Sequence, residues 1–466
     1  ALHFSILHWV PKVNYNKSKF PTWFSKDLID IVFQKRKAHA VFKTTRNPLD
    51  YSKFSLLHAK YKFISKQCYG KFIESTETNF CTNPNKFWNF VRKNRSHHDI
   101  PKTVNLNGVT SKNCIEVSNL FSQHFSSVYT QPRVLDNSSI SPHLQHDLPS
   151  NCFFDVSDVE LGLSKLRGNK SVGPDGFSGE FLYMLRSSLS YPLWLIFRKS
   201  LNEGIYPDLF KLSAVTPVLK SGNSSNVTNY RPISLSSHIV KLFDSLVLRS
   251  IKPVFNSILI DEQHGFRSGR STTTNSLVFS NYIFDAFINR TQVDVIYTDF
   301  TKAFDRVDHK LLMRVLIDTG FGEPLLSWFD SYLRDRKQFV KVLGVKSNII
   351  DVPSGVPQGG HLSPLLFALF VNDIKSSLVN CRFLLFADDL KLFLKIQSFK
   401  DCLLLQDDLN SLVSWANNRG LELNISKCRS MSFYRTREHI NYSYMINDNL
   451  LLSAGNVITD LGIVFD

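Results

Sequence analysis

At 466 residues the chain is long enough for two or three domains with cores of their own, and its 43% hydrophobic content with 38 Phe excludes disorder over most of its length. The formal charge of +15 is unevenly placed: residues 1–130 hold 20 Lys and Arg against 7 Asp and Glu, so the other 336 carry only +2. That points the N-terminal region at a polyanion, while seven Cys without CxxC or His spacing support neither a zinc knuckle nor a disulfide framework, and a reducing compartment is expected.

In chain order, Ala1 to Val10 has no initiator Met and too short an apolar run for a signal peptide or a membrane span, so the sequence reads as a piece of something longer. Residues 20–95 read as several helices broken at Asn47-Pro48 and Asn83-Pro84. Lys35-Arg36-Lys37 and Arg92-Lys93, interleaved with Phe, Tyr and Trp, offer the cations and stacking faces that nucleic acid needs. The same residues also read as apolar stripes with wet lysine faces, and a helical bundle with one basic face satisfies both. Residues 131–154 read as a linker, Ser-, Pro-, Asn- and His-rich to residue 150. Ser157-Asp158-Val159-Glu160 then reads as a capping box ahead of an apolar stripe at Val159, Leu163 and Leu166. Gly168 to Gly173 has the glycine spacing of a phosphate loop, but Pro174-Asp175 follows where Lys then Ser or Thr is required, which excludes an NTPase. Ala214 to Lys220 reads as a strand, Ser221-Gly222-Asn223 as a turn, and Arg231 closes the polar loop after it.

Val293 to Thr298 alternates with β-branched residues and predicts a strand ending at Asp299, with a helix from Lys302 to Leu316 beyond it. Gly355 to Gly360 is poor in side chains and leads to Ser363-Pro364, read as an N-cap and first helical proline before a buried helix. Arg382 to Phe386 and Leu390 to Leu394 are apolar arms that set Asp388 and Asp389 at a hairpin tip. Two adjacent buried carboxylates persist as anions only beside a strong cation, and a third acid at Asp299 makes a two-metal site for phosphoryl transfer. Asp407-Asp408 reads as a solvated pair on a helix striped at Leu405, Leu409, Leu412 and Trp415, and Lys427 as a lysine on a strand edge.

Asp299-Phe300 with Phe304, Ser354-Gly355-Val356-Pro357-Gln358-Gly359 and Phe386-Ala387-Asp388-Asp389 resemble the palm motifs of reverse transcriptases. Gly173-Pro174-Asp175-Gly176, Asn229 to Leu235, Gln263 to Arg267 and Lys302 to His309 narrow the resemblance to jockey-like non-LTR (LINE-type) retrotransposons over residues 155–466. The resemblance implies an α+β right-hand polymerase: a basic, mainly helical extension at 1–130, the linker, fingers at 155–291, and a palm with an antiparallel sheet at 292–466, ending where a primer-grip hairpin starts, without the endonuclease and most of the thumb. It implies that Asp299, Asp388 and Asp389, with the Phe300 carbonyl, hold two Mg2+ ions, with Mn2+ as a substitute. Lys220, Arg231, Phe304, Gln358 and Gly359 become nucleotide-binding, Phe304 as the ring that excludes a ribose 2′-OH, and Lys427 a general acid to the leaving pyrophosphate. RNA template, DNA primer or nicked target DNA and dNTPs become the partners, with no membrane, and the setting is intracellular, nuclear after a cytoplasmic ribonucleoprotein stage. An RNA-dependent RNA polymerase shares such a palm, but Ala387 before Asp388 and the aromatic Phe304 argue against it. A nucleic-acid-binding fragment of a decayed or truncated element is the competing reading, and the three intact acids weigh against it.

Overall fold

A computed structural model describes residues 20–78, 100–131, 151–455 and 457–466, with Phe4, His8 and Trp88. The chain divides into two compact units, residues 1–99 and 100–466. Residues 100–130, grouped by sequence with the N-terminal region, therefore pack with the second unit.

In the first unit, α1 (Lys26–Thr45) and α2 (Pro48–Thr78) form a helical hairpin. The Ser25 side chain accepts from Leu28 N to cap α1, and Arg46, in the left-handed region at φ 52°, stops it one residue before Asn47-Pro48. Leu28, Ile31 and Val32 are buried, whereas Phe33, Tyr51, Phe63 and Tyr69 stay exposed among the lysines. Lys35 Nζ lies 3.8 Å from the centre of the Tyr61 ring, a cation–π contact that holds the ammonium near the surface. Asn83-Pro84, Arg92 and Lys93 lie outside the described residues.

In the second unit, α3 (Cys114–Ser126) precedes α4 (Val156–Ser164), α5 (Gly179–Met184) and α6 (Arg186–Glu203). The cap of α4 is Asp155 rather than Ser157: its carboxylate accepts from Asp158 N while Asp158 reaches back to Asp155 N. A carboxylate at the N-cap satisfies the same orphan donors and meets the helix dipole, so it displaces the hydroxyl. Strand β1 (Leu212–Leu219) pairs antiparallel with β2 (Tyr230–Leu235), and α7 (His238–Ile258) and α8 (Thr272–Ile288) follow.

Strand β3 (Gln292–Thr298) comes next, then α9 (His309–Thr319), α10 (Leu325–Leu333), β4 (Lys337–Val342) and α11 (Ser363–Phe370). The helix expected from Lys302 is broken into a 3-10 turn at Ala303–Asp305 and α9. Lys302 is left-handed at φ 52°, and Asp308 caps α9 by accepting from Lys310 N and Leu311 N. Ser363 is the first residue of α11 and Leu362 its cap, a shift of one position that leaves Pro364 in the first turn, where no donor is lost. The chain closes with β5 (Arg382–Phe386), β6 (Asp389–Ile396), α12 (Phe399–Arg419), β7 (Arg429–Phe433), β8 (Leu452–Ser453) and the hairpin of β9 (Ile458–Asp460) and β10 (Ile463–Phe465).

One five-stranded sheet runs β8–β7–β3–β6–β5, with β3 central and antiparallel to both neighbours. Val293 and Val295 bury one face of β3 against Phe279, Phe393 and Phe433, and Ile296 buries the other in the main core around Trp328, Phe243 and Phe367. Burial on both faces explains why β3 is apolar beyond simple alternation. The second sheet joins β2, β1 and β4, covered by α3 through Val117, Phe121 and Phe125. The architecture is thus mixed α+β. Among the described residues no helix is long and apolar enough to cross a membrane.

Candidate active site

Register brings the acids together. Leu390 of β6 pairs with Thr298 of β3, so the next residue outward on each strand, Asp389 and Asp299, leaves the ladder side by side. Asp389 also pairs with Phe386, which makes Ala387-Asp388 a two-residue turn. Ala387 sits at φ 60°, a conformation costly for a residue with a Cβ, so the surroundings must hold it. They do: the buried Gln263 accepts from Ala387 N and Gly265 N through Oε1, His264 N donates to Leu385 O, and Leu385 N donates to Glu262 O. A Cβ on Gly265 would lie 2.4 Å from Ala387 N, so only glycine allows this approach.

Burial raises the pKa of Asp388, and the charge of Asp299 adds to the rise. Asp389 is pushed up to about 6, first by the protein packed round it and then by Asp388, Asp299 and Asp460. Asp299 thus makes Asp388 harder to ionise, and both make Asp389 harder to ionise, a penalty a divalent cation would lift. Among the described residues no group of three or more His, Cys, Asp or Glu side chains is placed to hold a metal ion by itself. Mg2+ fits such oxygen donors, because it ordinarily takes one or two carboxylates and completes its coordination with phosphate and water.

Asp299 and Asp388 line a cavity of about 760 Å³ with Phe300, Phe304, Gln358, Gly359, Lys220, Arg231 and Lys427. Lys220 follows β1, and Arg231 lies on the paired β2 opposite Val218, so one ladder carries both cations to the cavity. Lys427 belongs to a turn, not a strand edge, and its Nζ lies 3.0 Å from Asp299 Oδ2. Asn424 N donates to Asp299 O, which pins that turn to the end of β3. Phe304 is half-buried and stacks on Phe367 at 4.4 Å between ring centres while still facing the cavity, so core packing and wall are one role. Gly359 is at φ 99°, and a Cβ there would meet Ser234 O at 3.1 Å.

The described basic residues Lys35, Arg36 and Lys37 belong to the first unit, on α1. Three features escaped the sequence reading. Lys302 lines the cavity, its pKa lowered by burial. Asp305 is buried and receives the Gln358 amide. The Gln263-Gly265 brace stands behind the acidic turn. Nothing in the sequence marks a contact between segments so far apart.

Residues 218–445 match the family described as Reverse transcriptase (RNA-dependent DNA polymerase). The chain is 29% identical over 340 residues to "Probable RNA-directed DNA polymerase from transposon BS" of Drosophila melanogaster, covering 69% of this chain and 37% of that protein. It is 28% identical over 290 residues to the RNA-directed DNA polymerase from mobile element jockey of the same fly, covering 60% and 31%. A third relative, "Probable RNA-directed DNA polymerase from transposon X-element", is 24% identical over 469 residues, 95% of this chain and 50% of its own length. The chain therefore spans between about a third and a half of the curated relatives it matches.

Proposed function

Because the chain carries a reverse transcriptase domain over residues 218–445, related to those of non-LTR mobile elements, we propose that it synthesises DNA on an RNA template. A primer 3′-OH would attack the α-phosphate of a deoxynucleoside triphosphate. The observation that carries this reading is the β3–β6 register, which sets Asp299 beside Asp389, with Asp299 and the turn residue Asp388 lining a cavity that Lys220 and Arg231 also line. In this reading the five-stranded sheet is the palm of a right-hand polymerase, and residues 155–291 are its fingers.

Asp299, Asp388 and Asp389, with the Phe300 carbonyl, would hold two Mg2+ ions, which when bound compensate phosphate charge and ease deprotonation of the primer hydroxyl. Lys220 and Arg231 neutralise the triphosphate as charge moves onto the leaving pyrophosphate, and Lys302 is a further cation lining the same cavity. Lys427 gives that pyrophosphate a proton. Phe304, backed by Phe367, stands against the sugar where a 2′-OH would project, and Gln358 and Gly359 form the adjoining wall. The mobile-element relatives extend the reading to nicked target DNA as primer and to action in the nucleus, with the basic α1–α2 unit engaging RNA.

Primer extension tests it. With poly(rA)/oligo(dT), Mg2+ and dTTP, the chain should extend the primer and its Asp388→Asn variant should not. Binding without extension by the unaltered chain would leave a nucleic-acid-binding fragment, and extension by the variant would remove the metal-site assignment.

A further inference from the structure

A cavity of about 400 Å³ opens between α4, the loop at Asn169 and Ser171, and the start of α7, lined by none of the three acids. Its floor is apolar, with Leu161 and Leu166 on one side and the buried Leu242 and Leu246 on the other. Gly162 lets the two helices close beneath it, since a Cβ there would come 2.2 Å from Leu242 Cδ1. His238 Nε2 donates to Ser171 O at 3.0 Å, which fixes the loop to the first turn of α7. Lys165, Lys241 and Arg249 stand round the rim, and Asp158 is the single acid in the lining. Arg249 takes that acid at 2.6 Å, whereas Lys165 and the half-buried Lys241 have no ion-pair partner among the described residues. Two uncompensated ammonium groups over an apolar floor call for a ligand with a flat, weakly polar body and an anionic link. The volume is that of a site for one small ligand, the scale of a single nucleotide.

Position decides which nucleotide. The 760 Å³ cavity shares Asp299 and Lys427 with one of about 330 Å³ that Asp389 and the β9 residues Thr459 and Asp460 also line, and it shares His361 with the cavity between α4 and α7. The two outer cavities have no residue in common, so the three lie in series. Burial and then the charge of Lys241 lower the His361 pKa, which leaves the imidazole neutral at the mouth and the charge there to the lysine. A strand being copied reaches the central cavity from one side and leaves it paired on the other. The outer cavity beside Asp389 lies with the acids, where a primer end must sit, so the far one faces template that is not yet copied.

We propose that the cavity between α4 and α7 seats the first template nucleotide beyond the templating base, with its base on Leu161, Leu166 and Leu242 and its phosphate between Lys165 and Lys241. This seat rests on the polymerase reading and adds to it a place for the uncopied strand. Dispersion contact with leucines does not distinguish one base from another, as a site that every template base must pass requires. A base held there is drawn out of the stack, so a single base at a time faces the incoming nucleotide.

The test is anisotropy binding of oligo(dT) primers annealed to RNA templates whose 5′ overhang is either one adenosine or two. The unaltered chain should hold the two-nucleotide overhang at least roughly 10-fold more tightly, the joint worth of one charge-assisted contact and one seated base. Lys165→Ala/Lys241→Ala should cut that gain by roughly 5-fold or more and keep the affinity for the one-nucleotide overhang, which shows that the variant is folded. An abasic residue at the second position should cut the gain of the unaltered chain by roughly the same factor. No gain from the second nucleotide, a lysine variant that weakens both substrates alike, or an abasic template bound as tightly as the intact one would overturn the proposal. Extension of the same substrates with dTTP separates the two readings. Extension indifferent to the second nucleotide removes the seat alone, and no extension by the unaltered chain removes the polymerase and the seat with it.

Discussion

Gly265 touches no acid, yet a methyl group there must displace the acidic turn, since its Cβ would lie 2.4 Å from Ala387 N. The Gly265→Ala protein should therefore keep most of its stability and lose activity, because an ångström of misplacement costs about 100-fold. Primer extension beside a thermal melt checks this, and full activity would show that the turn relaxes freely. Phe304 argues in the other direction, for a side chain whose removal should gain an activity. Held by Phe367 at 4.4 Å, the ring should block a 2′-OH, and Phe304→Val should raise ribonucleotide incorporation at least several-fold relative to deoxynucleotide. An unchanged ratio in a single-nucleotide assay would reduce Phe304 to packing.

Between elements, buried acids tie helices to loops, and here sequence pattern misleads. Asp407-Asp408 reads as a solvated pair, and Asp407 is exposed. Asp408 is 2% exposed in mid-helix and accepts from Asn380 N, Cys381 N and Val379 N, which fixes the approach to β5. Asp408→Ala would strand those donors and should cost about 2–3 kcal/mol, read as a lower denaturation midpoint; an unmoved midpoint would contradict the tie. Asp244 of α7 receives Tyr206 OH at 3.1 Å and is pushed up to about 7 by burial, against the charge of Arg336. The nearby Tyr332 is itself held well above its ordinary value by burial and by Asp244. Because the unfolded chain releases this proton near pH 4 and the folded one near 7, stability should fall as pH rises between them, by at most about 1.4 kcal/mol per unit. Asp244→Asn should flatten that slope in urea titrations from pH 4 to 8, and an identical slope would show that Asp244 ionises without cost. What sequence discloses at this scale is periodicity: β3, the β5–β6 hairpin and α11 follow from apolar runs and turn residues. What it hides is long-range polar pairing, since Asp408 with Cys381 or Gln358 with Asp305 depends on where separate segments meet. The break after Lys302 was hidden for a related reason, because a left-handed residue and an aspartate cap overrode a good helical pattern.

At the scale of the whole molecule, charge and chemistry are divided. Residues 1–99 hold 18 Lys and Arg against 6 Asp and Glu and form one compact unit, while the three acids and the cavity belong to residues 100–466. The second unit has its own continuous core, from Cys152 through Trp328 to Leu451. A chain beginning at residue 100 should therefore unfold cooperatively and still extend a primer at saturating template. Its RNA affinity should drop, because Lys35, Arg36 and Lys37 and their neighbours would no longer displace counterions. Each lost phosphate contact on a single strand should make the plot of log affinity against log salt shallower by about 0.7. Anisotropy titrations of both chains between 50 and 200 mM salt, about the range over which such contacts dominate, separate the outcomes. An unchanged slope would mean that the lysines and arginines of α1 and α2 are only solvated and that template is gripped within residues 100–466 alone.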